Sequence, residues 1–154
     1  MRRTLRVGAY AVCVREGELL LARWVARDGT RRWTLPGGGM EHGEHPHDTV
    51  LREVEEETGY LAEVTGLLGV DAHRRTTRRR LRRTVDHHAV QVLYEVRLLG
   101  GALRAETGGS TDLAAWHPLD AVPALARTGM VDAGLALWRQ RPDTGRVPRK
   151  MNTE

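Results

Sequence analysis

One strand-rich α/β domain is the fold class that this sequence predicts. Three observations carry it: Val- and Leu-rich runs of strand length between turn-forming residues, segments whose apolar residues recur at helical spacing, and a length of 154 residues, which suits one core and is short for two. Hydrophobic residues make up 40% and charged residues 29%, an ordinary soluble composition. No run approaches the roughly 18 apolar residues of a membrane span, and the opening MRRTLRVGAYAVCVREGE lacks a signal-peptide cleavage pattern, so a cytoplasmic protein is expected.

Residues 4–14 and 18–24 are apolar, are separated by REGE, and read as two strands of a hairpin. Cys13, the only cysteine, lies within the first and reads as a buried structural thiol. A polar loop, ARDGTRR, leads to WTLPGGGMEHGEHP, whose glycines and prolines exclude regular structure for most of its length. A helix is expected from Pro46, which suits a first helical position, to Gly59, which suits a C-terminal cap, with Asp48 at the positive N-terminal end. LAEVTGLLGVDA and HHAVQVLYEVRLLGG follow as strands, with the arginine cluster at 73–83 forming a hairpin loop or its flanks. LRAETGGSTDLAAWHPLDAV reads as a short strand, a loop and another strand. Helices are expected at 120–127 and 130–141, and the domain at 1–142, followed by a mobile tail at 143–154.

The helix at 46–58 contains REVEEETG, a concentration of like charge that an exposed helix tolerates poorly. At about 100° per residue, Glu53, Glu56 and Glu57 share one arc of about 100°, beside an apolar stripe of Val50, Leu51, Val54 and Thr58. Glu55 points to the far side. Three carboxylates at the edge of a packed face call for a cation, either arginine or a hard divalent ion such as magnesium.

From Gly38 the chain reads glycine, five residues, Glu44, seven residues, then Arg52-Glu53-Val54-Glu55-Glu56-Glu57-Thr58-Gly59. This resembles the signature of the Nudix hydrolase family at every fixed position, with Tyr60 in place of the final aliphatic residue. The resemblance implies an α/β/α sandwich with a mixed central β-sheet. It also implies a MutT-like, magnesium-dependent pyrophosphohydrolase (manganese as substitute) acting on a nucleoside diphosphate linked to another group.

Carried over residue by residue, it makes Glu53, Glu56 and Glu57 metal ligands, with Glu53 alternatively the general base. Arg52 orients a catalytic glutamate, Glu44 joins the metal shell directly or through water, and the Gly37 carbonyl is a candidate ligand. Glu106 and Asp112 are candidates for a further base or ligand from a later loop, and Trp33 for stacking on a base. Homodimers are common in the family, and nothing in this chain fixes its oligomeric state.

Arg74, Arg75, Arg78 and Arg79 are candidates for binding substrate phosphates. The cluster has no interleaved aromatic residue, which disfavours sequence-specific single-strand recognition. Arg75, Thr76, Thr77 and Arg78 stand where related ADP-ribose pyrophosphatases carry a proline and dinucleoside polyphosphate hydrolases a tyrosine. A nucleoside triphosphate or nucleotide-sugar substrate is therefore expected. Two other readings stand beside it: a non-catalytic nucleotide- or RNA-binding module, and an RNA 5′-end pyrophosphohydrolase.

Overall fold

The computed structural model of the protein describes residues 1–78 and 83–147. Two four-stranded sheets form the centre, rather than one continuous sheet. The first has the order β5 (Gly37–Gly39), β1 (Arg2–Val12), β7 (Thr84–Gly101), β6 (Tyr60–Arg78), with β1 antiparallel to β5 and parallel to β7. In the second, β3 (Glu18–Val25) pairs along one edge with β8 (Thr111–Pro118), and along the other with β2 (Val14–Arg15) and β4 (Arg31–Thr34).

Alternation along the strands divides the core in two. Val12, Leu19, Leu21 and Leu93 face α2 (Gly129–Gln140) and pack with its Val131, Leu135 and Leu137. Ala9, Ala11, Cys13, Leu20 and Val96 face the other way, onto Val50 and Val54 of α1 (Pro46–Thr58). The result is the expected α/β/α sandwich. Gly134 lets α2 approach closely, since a Cβ there would stand 2.6 Å from the Leu35 side chain. No helix among the described residues is long and apolar enough to cross a membrane.

The structure corrects several boundaries. Gly37–Gly39, expected to be irregular, is a strand paired with Gly8–Tyr10, because a backbone without side chains can lie this close to β1: a Cβ on Gly37 would come 2.3 Å from the Ala9 carbonyl oxygen. The helix expected at 120–127 is a 3₁₀ helix, Leu119–Ala124, and Leu125 is already extended. Pro123 inside it has no N–H to continue an α-helical ladder. No strand forms at 102–110. Residues 143–147, placed in the tail on sequence grounds, dock on β6: the Val70 N–H donates to the Gly145 carbonyl at 2.7 Å, and Val147 packs on the core.

Candidate functional site

Two buried valines set the azimuth of α1. With Val50 and Val54 fully buried against β1, Glu53 and Glu57 come to the border of the helix that faces β5, while Glu55 is exposed. The helix starts on His45, whose Nδ1 accepts from the His47 N–H, and ends at Gly59 in the left-handed conformation with φ 81°. Cap and stripe together hold the carboxylates in place.

Glu57 is only 4% exposed, and one of its oxygens accepts the Gly37 N–H at 3.2 Å. Burial pushes its pKa up to about 9, helped by the negative charges of Glu53, Glu106 and Glu56. Glu53 is raised too, chiefly by burial, against the pull of Arg52. Gly37 brings its N–H into the site as a donor to Glu57. Gly38 makes room for Glu53, since a Cβ there would stand 2.5 Å from the Glu53 carboxylate. Gly38→Ala should therefore displace Glu53 and lower turnover by about tenfold or more, with little change in melting temperature. Full activity of that variant would remove Glu53 from the chemistry.

Arg52 ties the cluster together. Its Nε donates to Glu44 Oε1 at 2.8 Å and its Nη2 to Glu44 Oε2 at 3.1 Å. Its Nη1 reaches Glu53 at 3.1 Å and Glu56 at 3.2 Å, and Nη2 also reaches the Gly39 carbonyl at 3.3 Å. Glu44 further accepts from the Thr49 hydroxyl at 2.7 Å and the Glu41 N–H at 2.9 Å. These partners, Arg52 first, hold its pKa down at about 2. Glu44 is thus held by four protein donors, three of them on Oε2, and stands behind Arg52.

The donors fit a hard divalent cation in chemistry: carboxylate oxygens in excess, one of them pushed toward neutrality by burial and then by its acidic neighbours. As the side chains stand, no three His, Cys, Asp or Glu groups among the described residues are gathered closely enough to enclose an ion. The reason is visible in Arg52, whose guanidinium draws Glu56 and Glu53 to itself. Glu56 is half exposed, so the rotation that would bring it to an ion is open to it.

These acids form one end of a cleft of about 750 Å³ between the two sheets. Its floor is one face of the first sheet: Arg6 and Tyr10 of β1, Gln91 of β7, and Asp71, His73 and Arg75 of β6. Trp24, Arg32 and Thr34 form the facing wall, with Ser110, Thr111 and the start of α2. Glu106 enters at the lip, where it accepts the Thr111 hydroxyl at 2.8 Å. Arg6, Arg32 and Arg75 make no ion pair among the described residues. One end of the cleft is therefore acidic, and its remaining lining carries three guanidinium groups that have no ion pair among the described residues.

Strand alternation explains which expected residues reach the cleft. Glu53, Glu56, Glu57, Glu106 and Arg75 do. Asp112 does not: it lies one position from Thr111, on the opposite face, and is held by Arg23 at 2.9 and 3.0 Å and by Arg31 at 3.2 Å. Trp33 likewise turns away, between the cleft residues Arg32 and Thr34, and meets the His117 ring edge-on at 4.3 Å. Trp24 is the cleft tryptophan. Arg74 is committed to Asp86 at 2.7 Å. Arg78 does not line the cleft, and Arg79 lies outside the described residues. His87 and His88 stay out of it as well, His87 within 2.7 Å of the Thr4 hydroxyl. Arg6, Tyr10, Trp24, Arg32, Asp71, His73 and Gln91 escaped the sequence reading, although the spacing of Asp71, His73 and Arg75 already places them on one face.

The profile of the NUDIX domain matches residues 2–138. A putative mutator protein, MutT4, of Mycobacterium tuberculosis is 39% identical over 101 residues, 65% of this chain and 38% of that protein. A putative ADP-ribose pyrophosphatase of Bacillus subtilis is 33% identical over 113 residues, 73% of this chain and 50% of that protein. The chain thus matches half or less of the length of these two relatives. Among solved structures, a NUDIX hydrolase from Nitrosomonas europaea superposes with a TM-score of 0.73 at 19% identity, covering 98% of this chain and 100% of that one.

Proposed function

This chain belongs to the Nudix family, and from that premise we propose that it hydrolyses the pyrophosphate bond of a nucleoside diphosphate-linked substrate with the help of a divalent cation. The observation that carries the proposal is the meeting, in one cleft, of Glu53, Glu56 and Glu57 with three arginines that have no ion pair among the described residues. A phosphoanhydride with a bound cation needs both signs of charge within reach of one another.

Glu57 and Glu56 would hold the cation, leaving Glu53 as the base. Bound there, magnesium or manganese would withdraw charge from the phosphate oxygens and lower the pKa of a water molecule. Arg6, Arg32 and Arg75 neutralise the remaining phosphate charge and fix the orientation of the substrate. Glu53 accepts the proton of the attacking water, with Glu106 the alternative acceptor at the lip. As the water oxygen bonds to phosphorus, the anhydride P–O bond breaks and its electron pair leaves with the departing phosphate. Arg52 keeps Glu53 in position through Nη1, and Glu44 keeps Arg52 in position.

Support for small nucleotide substrates over RNA comes from the arginine cluster. Arg75 lines the cleft, whereas Arg74 is spent on Asp86, so these two offer no common surface to a longer phosphate backbone. The test is to incubate the protein with magnesium and nucleoside triphosphates, nucleotide sugars, ADP-ribose or dinucleoside polyphosphates, and to identify the products by mass. Release of a nucleoside monophosphate from one class is expected, absent with Glu57→Gln. Binding without turnover across the whole panel would overturn catalysis in favour of a non-catalytic nucleotide-binding module.

A further inference from the structure

Gln91 is 6% exposed, lines the cleft, and makes no side-chain hydrogen bond among the described residues. Its amide meets the open cleft, so both its donor and its acceptor are available to a ligand there. Its cross-strand partner in the register of β6 and β7 is Asp71, which lines the same cleft and is likewise without a side-chain partner among the described residues. Directly opposed residues on one face of an antiparallel pair have Cβ atoms about 5 Å apart. A carboxylate and a carboxamide therefore stand side by side on the cleft floor.

Their distance from the acids is set by the sheet. Gln91 is aligned with Gly8, and Gly8 with Gly39 of β5, so at about 4.8 Å per strand Gln91 stands about 10 Å from β5 and Asp71 about 14 Å. The acids gather at Gly37 and Gly38 of β5. A nucleotide with its phosphates at the acids thus carries its base across β7 and β6. Trp24, 37% exposed on the facing wall, supplies an aromatic surface for that base.

The hydrogen-bond pattern of the pair selects among bases. An ionised carboxylate only accepts, and matches two adjacent N–H donors; the carboxamide NH₂ can donate to a carbonyl beside them. Of the common bases, guanine alone presents that edge, with N1–H and N2–H₂ next to O6. Adenine places an acceptor, N1, against the carboxylate, cytosine offers one donor group beside two acceptors, and uracil offers a single N–H. Resting on the proposed nucleotide reading of the cleft, the geometry points to Asp71 and Gln91 as the specificity pair for a guanine nucleotide, Asp71 accepting from N1–H and N2–H₂ and Gln91 donating to O6.

Calorimetric titration of the wild-type protein with GMP, IMP, XMP, AMP and UMP tests this without turnover. GMP is expected to bind about tenfold or more tightly than AMP and UMP, with IMP, which lacks the 2-amino group, between them. Asp71→Asn replaces an acceptor by a donor, and should move the preference from GMP to XMP, whose C2 carbonyl accepts. Equal affinities for all five ligands, or a uniform loss in Asp71→Asn, would overturn the assignment. Hydrolysis assays on GTP and ATP separate the two claims: turnover without base preference sinks the specificity pair alone, whereas guanine-selective binding without turnover sinks the hydrolase reading and leaves the pair standing.

Discussion

Glu57→Gln is expected to lower turnover roughly a thousandfold, while Glu55→Gln leaves it within about twofold. The two residues are neighbours but one in the helix, and differ by what the helix does with them. Glu55 is exposed; Glu57 is buried against the Gly37 N–H and faces Glu53. The same burial gives the metal-free protein a pH signature. Because the folded pKa of about 9 lies above the ordinary 4.5, the folded state holds a proton that the unfolded state has already released across that window. Stability of the metal-free protein should therefore fall as pH rises from about 5 toward 9 and level off above it, by on the order of 6 kcal/mol. Glu57→Gln, neutral at every pH, should lose this slope and be the more stable apoprotein at pH 8. Magnesium should stabilise the wild type at pH 8 much more than the variant. Denaturant melts at several pH values, with and without magnesium, read all of this, and a wild-type slope equal to that of the variant would place the Glu57 proton elsewhere.

The acid cluster was legible in the sequence because it is local. Glu53, Glu56 and Glu57 fall on one arc by helix geometry alone, and Val50 and Val54 name the buried side. The strands of the α/β/α sandwich were legible for the same reason, as runs of alternating or continuous apolar residues. Residues contributed by pairing between distant strands were not. Gln91 looks like one polar residue within an apolar run until β7 is laid beside Asp71 of β6 and Gly8 of β1. Trp33 and Trp24 are equally plausible in sequence, and only the pairing of β3 with β4 shows that Trp24 and Arg32 share the cleft face while Trp33 faces Arg23. Asp112 was misplaced by one residue of strand phase, which exchanges the two faces of a sheet. The glycine strand Gly37–Gly39 could not be read from propensity, since its stability comes from what it allows β1 and Glu53 to approach.

Arg52→Lys should keep the fold and lower turnover by about a hundredfold, because a lysine cannot reproduce what this guanidinium does. Arg52 spans Glu44, Glu53, Glu56 and the Gly39 carbonyl at once, using Nε and both terminal nitrogens. An ammonium group is a compact charge with no planar fork, so it can pair with Glu44 or with Glu53 but cannot fix both relative to β5. Glu53 would then be free to turn, and the acid cluster would lose its registration with Gly37 and Gly38. Glu44 touches the cluster only through Arg52, which makes its own effect conditional. Glu44→Gln should reduce turnover in the wild-type background and add almost nothing in the Arg52→Lys background, a coupling that a double-mutant cycle measures directly. The magnesium concentration needed for half-maximal activity should rise in both single variants, since each loosens the carboxylates proposed to hold the ion. Additive effects of the two substitutions would mean that Glu44 reaches the chemistry independently of Arg52, as a member of the metal shell would.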